Sequence, residues 1–239
     1  MRSKQSGFTL VEIAIVLVII GLLLGGVLKG QELINSAKVK NLATDFRNVP
    51  LFIYGYQDKY RALPGDDGQA AAHVAGATVA TTPAAAPAAR SNGVIEGAWD
   101  STTQTDESFL FWQHVRLAGL AAGPTAVADT NYQPRNADGG IIGITTNDNA
   151  APYIAGMRGT YLVCTQGVLG KYARQLDTTM DDGCPNTGSI RVVPGTPAGT
   201  TTGNVSAGLV PIAAGAVCPI TAGGPTLDDS TSYTVCMTM

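Results

Sequence analysis

The residues able to do chemistry in this chain are few, and each sits in a setting that narrows what it can do. Glu12 is the only strongly polar member of the 21-residue run FTLVEIAIVLVIIGLLLGGVL, residues 8–28. A carboxylate is costly in lipid and usually has a named partner there, so Glu12 points to charge pairing rather than to plain anchoring. Four cysteines, Cys164, Cys184, Cys218 and Cys236, all lie in the C-terminal part. Their even number suits two disulfides, with three connectivities open. No C-x-x-C spacing occurs, which speaks against a zinc site. Three acidic doublets, Asp66-Asp67, Asp181-Asp182 and Asp228-Asp229, stand in Gly-rich or polar turns. Their hard oxygens suit Ca2+, but none completes a calcium-loop pattern, and turn formation by Asp side chains is the favoured reading. The two histidines are His73 and His114, and no G-x-S-x-G, Walker A or H-E-x-x-H sequence accompanies them. His114 reads as a packed or surface residue rather than a base. The expectation is a protein that is not an enzyme and has no cofactor, calcium at a doublet being the one exception left open.

A helix has to carry Glu12. At about 1.5 Å per residue, residues 8–28 rise roughly 30 Å, the thickness of a bilayer's hydrocarbon core. Arg2 and Lys4 precede the run and the bulk of the chain follows it. The positive-inside rule therefore leaves the N-terminus cytoplasmic and the body outside, where thiols oxidise. An ordinary secretory signal is shorter and ends in a small-residue cleavage site, whereas this run continues into Leu28-Lys29-Gly30-Gln31. Beyond Lys29 an apolar stripe through Leu33, Leu42, Phe46, Val49, Ile53 and Tyr56 predicts that the same helix extends from residue 8 to about 60. Its length would be roughly 80 Å. Pro50 should kink it, and Gly21, Gly25 and Gly26 lower its helix propensity.

The remainder reads as a head. Leu63-Pro64-Gly65-Asp66-Asp67 closes the helical region with turn chemistry. Residues 70–93, with TTPAAAPAA, read as an exposed low-complexity loop. Thr105-Asp106-Glu107 caps a short helix reaching Leu120, whose Phe109, Phe111 and Trp112 supply core. Strand-like runs follow at 141–146, 160–165, 189–193, 208–213 and 232–237. Gly, Pro, Asn and Asp turns separate them, so an antiparallel sheet packed on the long helix, an α+β fold, is expected. Fifteen Lys+Arg against 18 Asp+Glu leave no basic excess, which argues against duplex nucleic-acid binding. Only 14% of residues are charged, against about 25% in average soluble proteins. That composition favours an extracellular surface of hydroxyls and amides.

Lys4-Gln5-Ser6-Gly7 followed by Phe8-Thr9-Leu10-Val11-Glu12 resembles the class III signal of type IV prepilins and type II secretion pseudopilins. The resemblance implies cleavage between Gly7 and Phe8 by a membrane prepilin peptidase, N-methylation of Phe8, and Glu12 as the family's acidic residue. In an assembling filament the Phe8 amine and Glu12 would pair between subunits, each relieving the other's desolvation. It also implies a local loosening of the helix near its glycines, although Lys29 stands where many pilins carry a helix-breaking proline. The body resembles a pilin-like subgroup through Leu63-Pro64-Gly65-Asp66, the helix from Glu107 to its Ala-Gly-Leu end, and Asp181-Asp182-Gly183 before Thr187-Gly188. Of the connectivities, Cys164 with Cys184 and Cys218 with Cys236 is favoured, since both loops are of moderate length and the second resembles the C-terminal disulfide loop of many pilins. Some pseudopilins bind calcium in their C-terminal loop.

The implied organisation is a leader at 1–7, a transmembrane and filament-core segment at 8–28, an amphipathic half-helix at 29–62 and a globular head at 63–239. The implied function is that of a structural subunit of a type IV pilus or related filament. The alternatives are a pseudopilin, or a minor tip pilin binding a surface or DNA. Its partners would be further copies of itself, the peptidase, an assembly platform and, before assembly, the inner membrane.

Overall fold

The computed structural model describes residues 10–82, 90–147, 153–154, 156–194 and 227–239. Helix α1, Leu10–Tyr60, has 51 residues and continues through Pro50. The chain divides into two compact units, Met1–Lys38 and Val39–Met239.

In the first unit the apolar side chains of α1 from Leu10 to Leu28 are exposed. In the second unit the stripe expected from sequence is the helix's buried face: Val39, Leu42, Ala43, Phe46, Val49, Ile53 and Tyr56. The helix stops where Arg61 turns left-handed, at φ 56°, a conformation that ends helices. The Leu63-Pro64 pair that follows disfavours any return to helical backbone.

Four strands, β1 Ile142–Thr146, β2 Tyr161–Leu169, β3 Ile190–Pro194 and β4 Ser232–Thr238, form one sheet in the order β1-β2-β4-β3. Every neighbouring pair is antiparallel. The expected run at 208–213 lies outside the described residues. Strand side chains alternate between faces. Ile142, Ile144, Val163, Val192 and Val235 join the α1 stripe in the main core. Leu162, Cys164, Val193 and Cys236 project to the other face, where Trp99, Tyr153, Ile154 and Met157 cover them. A Cβ on Gly143 would collide with the Trp99 carbonyl, so a glycine in β1 is what lets that covering loop lie flat on the sheet. Burial of Phe46 in the main core is worth on the order of 2–3 kcal/mol.

Among the described residues the head holds three further helices: α2 Ala70–His73, α3 Glu107–Leu117 and α4 Gly170–Met180. Residues 70–82 are not the exposed loop expected from composition. Ala70, Val74 and Ala77 pack with Tyr56 and Ala118 in a small core of their own, because alanines fit where larger side chains would hold the segment off α1 and α3. Residues 83–89, which hold most of the Ala/Pro run, lie outside the described residues. Helix α3 matches the expected short helix, and its N-cap is Asp106. The Asp106 carboxylate does not cap the helix; it accepts from Thr82 Oγ1 at 2.5 Å and Ser101 Oγ at 2.6 Å. No sequence expectation covers α4, although Tyr172, Ala173, Leu176 and Met180 recur at helical spacing.

Candidate assembly helix and acidic turns

Gly7 and Phe8 lie outside the described residues. Glu12 falls in the first turn of α1, among exposed apolar side chains. Such a surface has no cover within its own unit, so it suits either lipid or the helices of other chains. The glycines carry a second clue. A Cβ added at Gly21, Gly25, Gly26 or Gly30 would meet nothing within 4 Å. Nothing in the packing of the described residues therefore requires glycine there. Gly21 with Gly25, and Gly26 with Gly30, are four apart and share a helix face, the spacing that lets membrane helices approach closely.

The Leu63-Pro64-Gly65-Asp66-Asp67 turn is tied into the head through the Gly65 N–H and both aspartate side chains. The Gly65 N–H donates to His114 Nδ1 at 3.0 Å. His114 Nε2 must then carry the proton, and it donates to the Thr78 carbonyl at 2.8 Å. Burial lowers the pKa of this fully enclosed imidazole, so it stays neutral. Asp66 accepts from the backbone N–H groups of Ser91, Asn92 and Gly93. Asp67 accepts from Tyr56 Oη at 2.8 Å and from the Gln69 N–H at 2.9 Å, and lies 2.7 Å from His73 Nδ1. These carboxylates are taken up by N–H and O–H donors, the environment of a fastened turn. Glu107, buried beside them, accepts from the Glu96 N–H at 2.8 Å. Burial first, then the charges of Asp66 and Glu96, push it up to about 8 against that amide's pull.

The disulfide arrangement differs from the favoured one. Cys164 and Cys236 are register partners across β2 and β4, with Cα atoms 4.1 Å apart, and their sulfurs are bonded. They are 72 residues apart along the chain, but the sheet order places β4 directly beside β2. Loop length along the chain carries no information about which strands become neighbours. The Cys164–Cys236 bond rules out a pairing of Cys164 with Cys184, which is itself disulfide-bonded. Cys218 lies outside the described residues.

The other acidic doublets differ from each other. Asp228 is exposed and accepts from the N–H and hydroxyl of Ser230, which lower its pKa. Asp229 pairs with Arg174 at 2.9 Å. Asp181 accepts from the Ile190 N–H at 2.7 Å, and Asp182 from the Cys184 N–H at 2.9 Å and the Thr187 hydroxyl at 2.5 Å. Asp67, Asp182 and Asp228 each take the amide two residues ahead, the Asx-turn pattern. Asp177, which the sequence did not single out, stands one helical turn before Asp181 at the end of α4. Its i, i+4 spacing to Asp181 was the available signal.

The long apolar N-terminal helix, the antiparallel four-stranded sheet and the Cys164–Cys236 disulfide together make a pilin-like α+β fold. Residues 2–28 match the family model of the prokaryotic N-terminal methylation motif, the signal of type IV pilins and pseudopilins. No curated protein and no solved structure matches the chain. Among the described residues α1 is the one helix long and apolar enough to cross a membrane, and with the motif it suits a membrane-anchored protein of pilin type.

Proposed function

We propose that this chain is a structural subunit of a type IV pilus or related filament. The precursor sits in the inner membrane with its N-terminus cytoplasmic, is cut between Gly7 and Phe8 by prepilin peptidase, is N-methylated at Phe8, and polymerises through α1. The observation that carries this reading is the methylation motif at residues 2–28 running directly into α1, whose apolar N-terminal side chains are exposed. Lipid covers that surface before assembly, and neighbouring copies of α1 cover it afterwards.

Glu12 supplies register. The new amine at Phe8 and the carboxylate at Glu12 are each costly in a low-dielectric bundle and offset one another only when an incoming subunit stops at the right height. The test has two arms. Intact mass of the mature protein should equal the sequence from Phe8 onward plus one methyl group, and Gly7→Val should leave the precursor uncut. Glu12→Val should insert and be cleaved normally, yet yield few sheared fibres. Mature protein beginning at Met1, or equal fibre yield from Glu12→Val, would refute the reading. Whether the fibre is shed from the cell surface or confined to the periplasm separates a pilin from a pseudopilin.

A further inference from the structure

We propose that Asp177, Asp181 and Asp182 form a binding site for one hard divalent cation, of the calcium class, where α4 gives way to the turn leading into β3. One oxygen from each of the three carboxylates lies within 4.8 Å of the others, close enough to share an ion. Proximity of acids alone would mean little. The deciding feature is Asp177, whose residue is 1% exposed while neither carboxylate oxygen meets a donor at full hydrogen-bonding geometry among the described residues, the nearby Gly183 N–H pulling on it less than burial and its acidic neighbours push. Buried carboxylates almost always have donors, and one so poorly supplied either keeps its proton or faces a positive charge.

The other two ligands are held in place for the task. The Ile190 N–H fixes Asp181, and the Cys184 N–H with the Thr187 hydroxyl fixes Asp182. A carboxylate has about four acceptor positions, so these donors orient each group and leave oxygens free for an ion. Gly188, at φ +70°, lies against the Asp181 carboxylate where any Cβ would collide with it, so the turn closes over the cluster.

Charge supports a divalent ion in particular. The nearby positive group is Arg191, whose guanidinium interacts with all three carboxylates over a distance while its Nε and Nη1 hydrogen-bond to nothing among the described residues. Three carboxylates and one guanidinium leave a local charge of about −2, which one divalent cation neutralises. Burial, with Asp182 and Asp181 beside it, pushes Asp177 up to about 7, so a proton is the cation's competitor. Asp182 is exposed, and that open side admits the waters that complete a coordination shell of about six to eight oxygens.

The site is independent of filament formation, so it is tested on the mature full-length chain in detergent, stripped with EDTA and dialysed. Calorimetric titration with CaCl2 at pH 7.5 should give one ion per chain, with MgCl2 binding more weakly, and thermal melting should move up by several degrees in millimolar calcium. Asp177→Asn and, at the exposed edge, Asp182→Asn should each weaken binding at least about tenfold. Without calcium, Asp177→Asn should melt no lower than wild type, which separates lost ligation from lost folding. The double change Asp228→Asn with Asp229→Asn should titrate as wild type. A wild-type chain whose melting is unmoved by millimolar CaCl2, MgCl2 and MnCl2, or an Asp177→Asn chain that titrates like wild type, would overturn the site.

Discussion

His114 and Glu107 lie on α3 and show how a side chain's role follows from its surroundings. His114 has the reactivity for proton transfer, but both of its nitrogens are committed, one to the Gly65 N–H and the other to the Thr78 carbonyl. His114→Phe keeps the ring and leaves both backbone groups buried without partners. It should cost on the order of 2–4 kcal/mol in urea unfolding, with no change in signal cleavage. Glu107 behaves in the opposite sense to a surface acid. Its pKa is raised from 4.5 to about 8, so at neutral pH it is held as the neutral acid. Glu107→Gln reproduces that neutral form. The variant should match wild type near pH 5 and exceed it in stability above pH 8, as read by melting temperature across the two buffers.

Elements matter here chiefly through what they bring side by side. The β2–β4 pairing sets Cys164 opposite Cys236. Peptide mapping without reduction should therefore recover these two in one linked fragment. With those two paired, Cys218 is the cysteine left in the sequence for Cys184, and a second linked fragment should contain both. Replacing Cys164 and Cys236 together by Ser should cost roughly 2–5 kcal/mol, since the bond closes a long loop. A fragment joining Cys164 to Cys184 would contradict the sheet order itself. The junction of the Leu63-Pro64-Gly65 turn with α3 is equally specific. Gly65 has φ +93°, and a Cβ there would sit 2.5 Å from the Glu107 carbonyl. Backbone cannot move aside as a flexible side chain can, so Gly65→Ala should destabilise the head by more than the usual ~1 kcal/mol of a surface change.

At the scale of the whole molecule, two buried acids and one half-buried acid act together on stability. Burial raises Glu107 from 4.5 to about 8, Asp177 from 3.8 to about 7 and Asp45 from 3.8 to about 6. In each case the folded state still holds a proton that the unfolded state has released. Stability contributed by these groups is complete below about pH 4 and declines as pH rises toward 8, the reverse of a salt-bridged carboxylate. In EDTA, the urea midpoint should fall steadily from pH 5 to pH 8. Millimolar calcium should recover part of the loss near pH 8 in wild type and none of it in Asp177→Asn. The processing and Glu12→Val experiments belong to this scale too, because they read the behaviour of many chains together.

Much of this was legible from local pattern. The apolar run, the methylation motif at residues 2–28, the buried stripe of α1, α3 and four of the strand runs all depend on residues near one another in the chain. Hydrophobic periodicity reports them directly because a helix or strand presents its faces at a fixed repeat. What could not be read depends on contacts between distant segments. The Cys164–Cys236 bond follows from strand order, which no spacing encodes. The packing of residues 70–77 follows from the shape of the hollow beside Tyr56 and Ala118, although their composition looks like loop. The enclosure of His114, and the buried carboxylate of Asp177 facing Asp181 and Asp182, arise only when α3, α4 and the turns close around them. Sequence by itself determined the covalent signal and the amphipathic elements, because both are short-range. Tertiary structure decided which polar groups are buried and what each one faces, because desolvation and charge act through space between residues far apart in the chain.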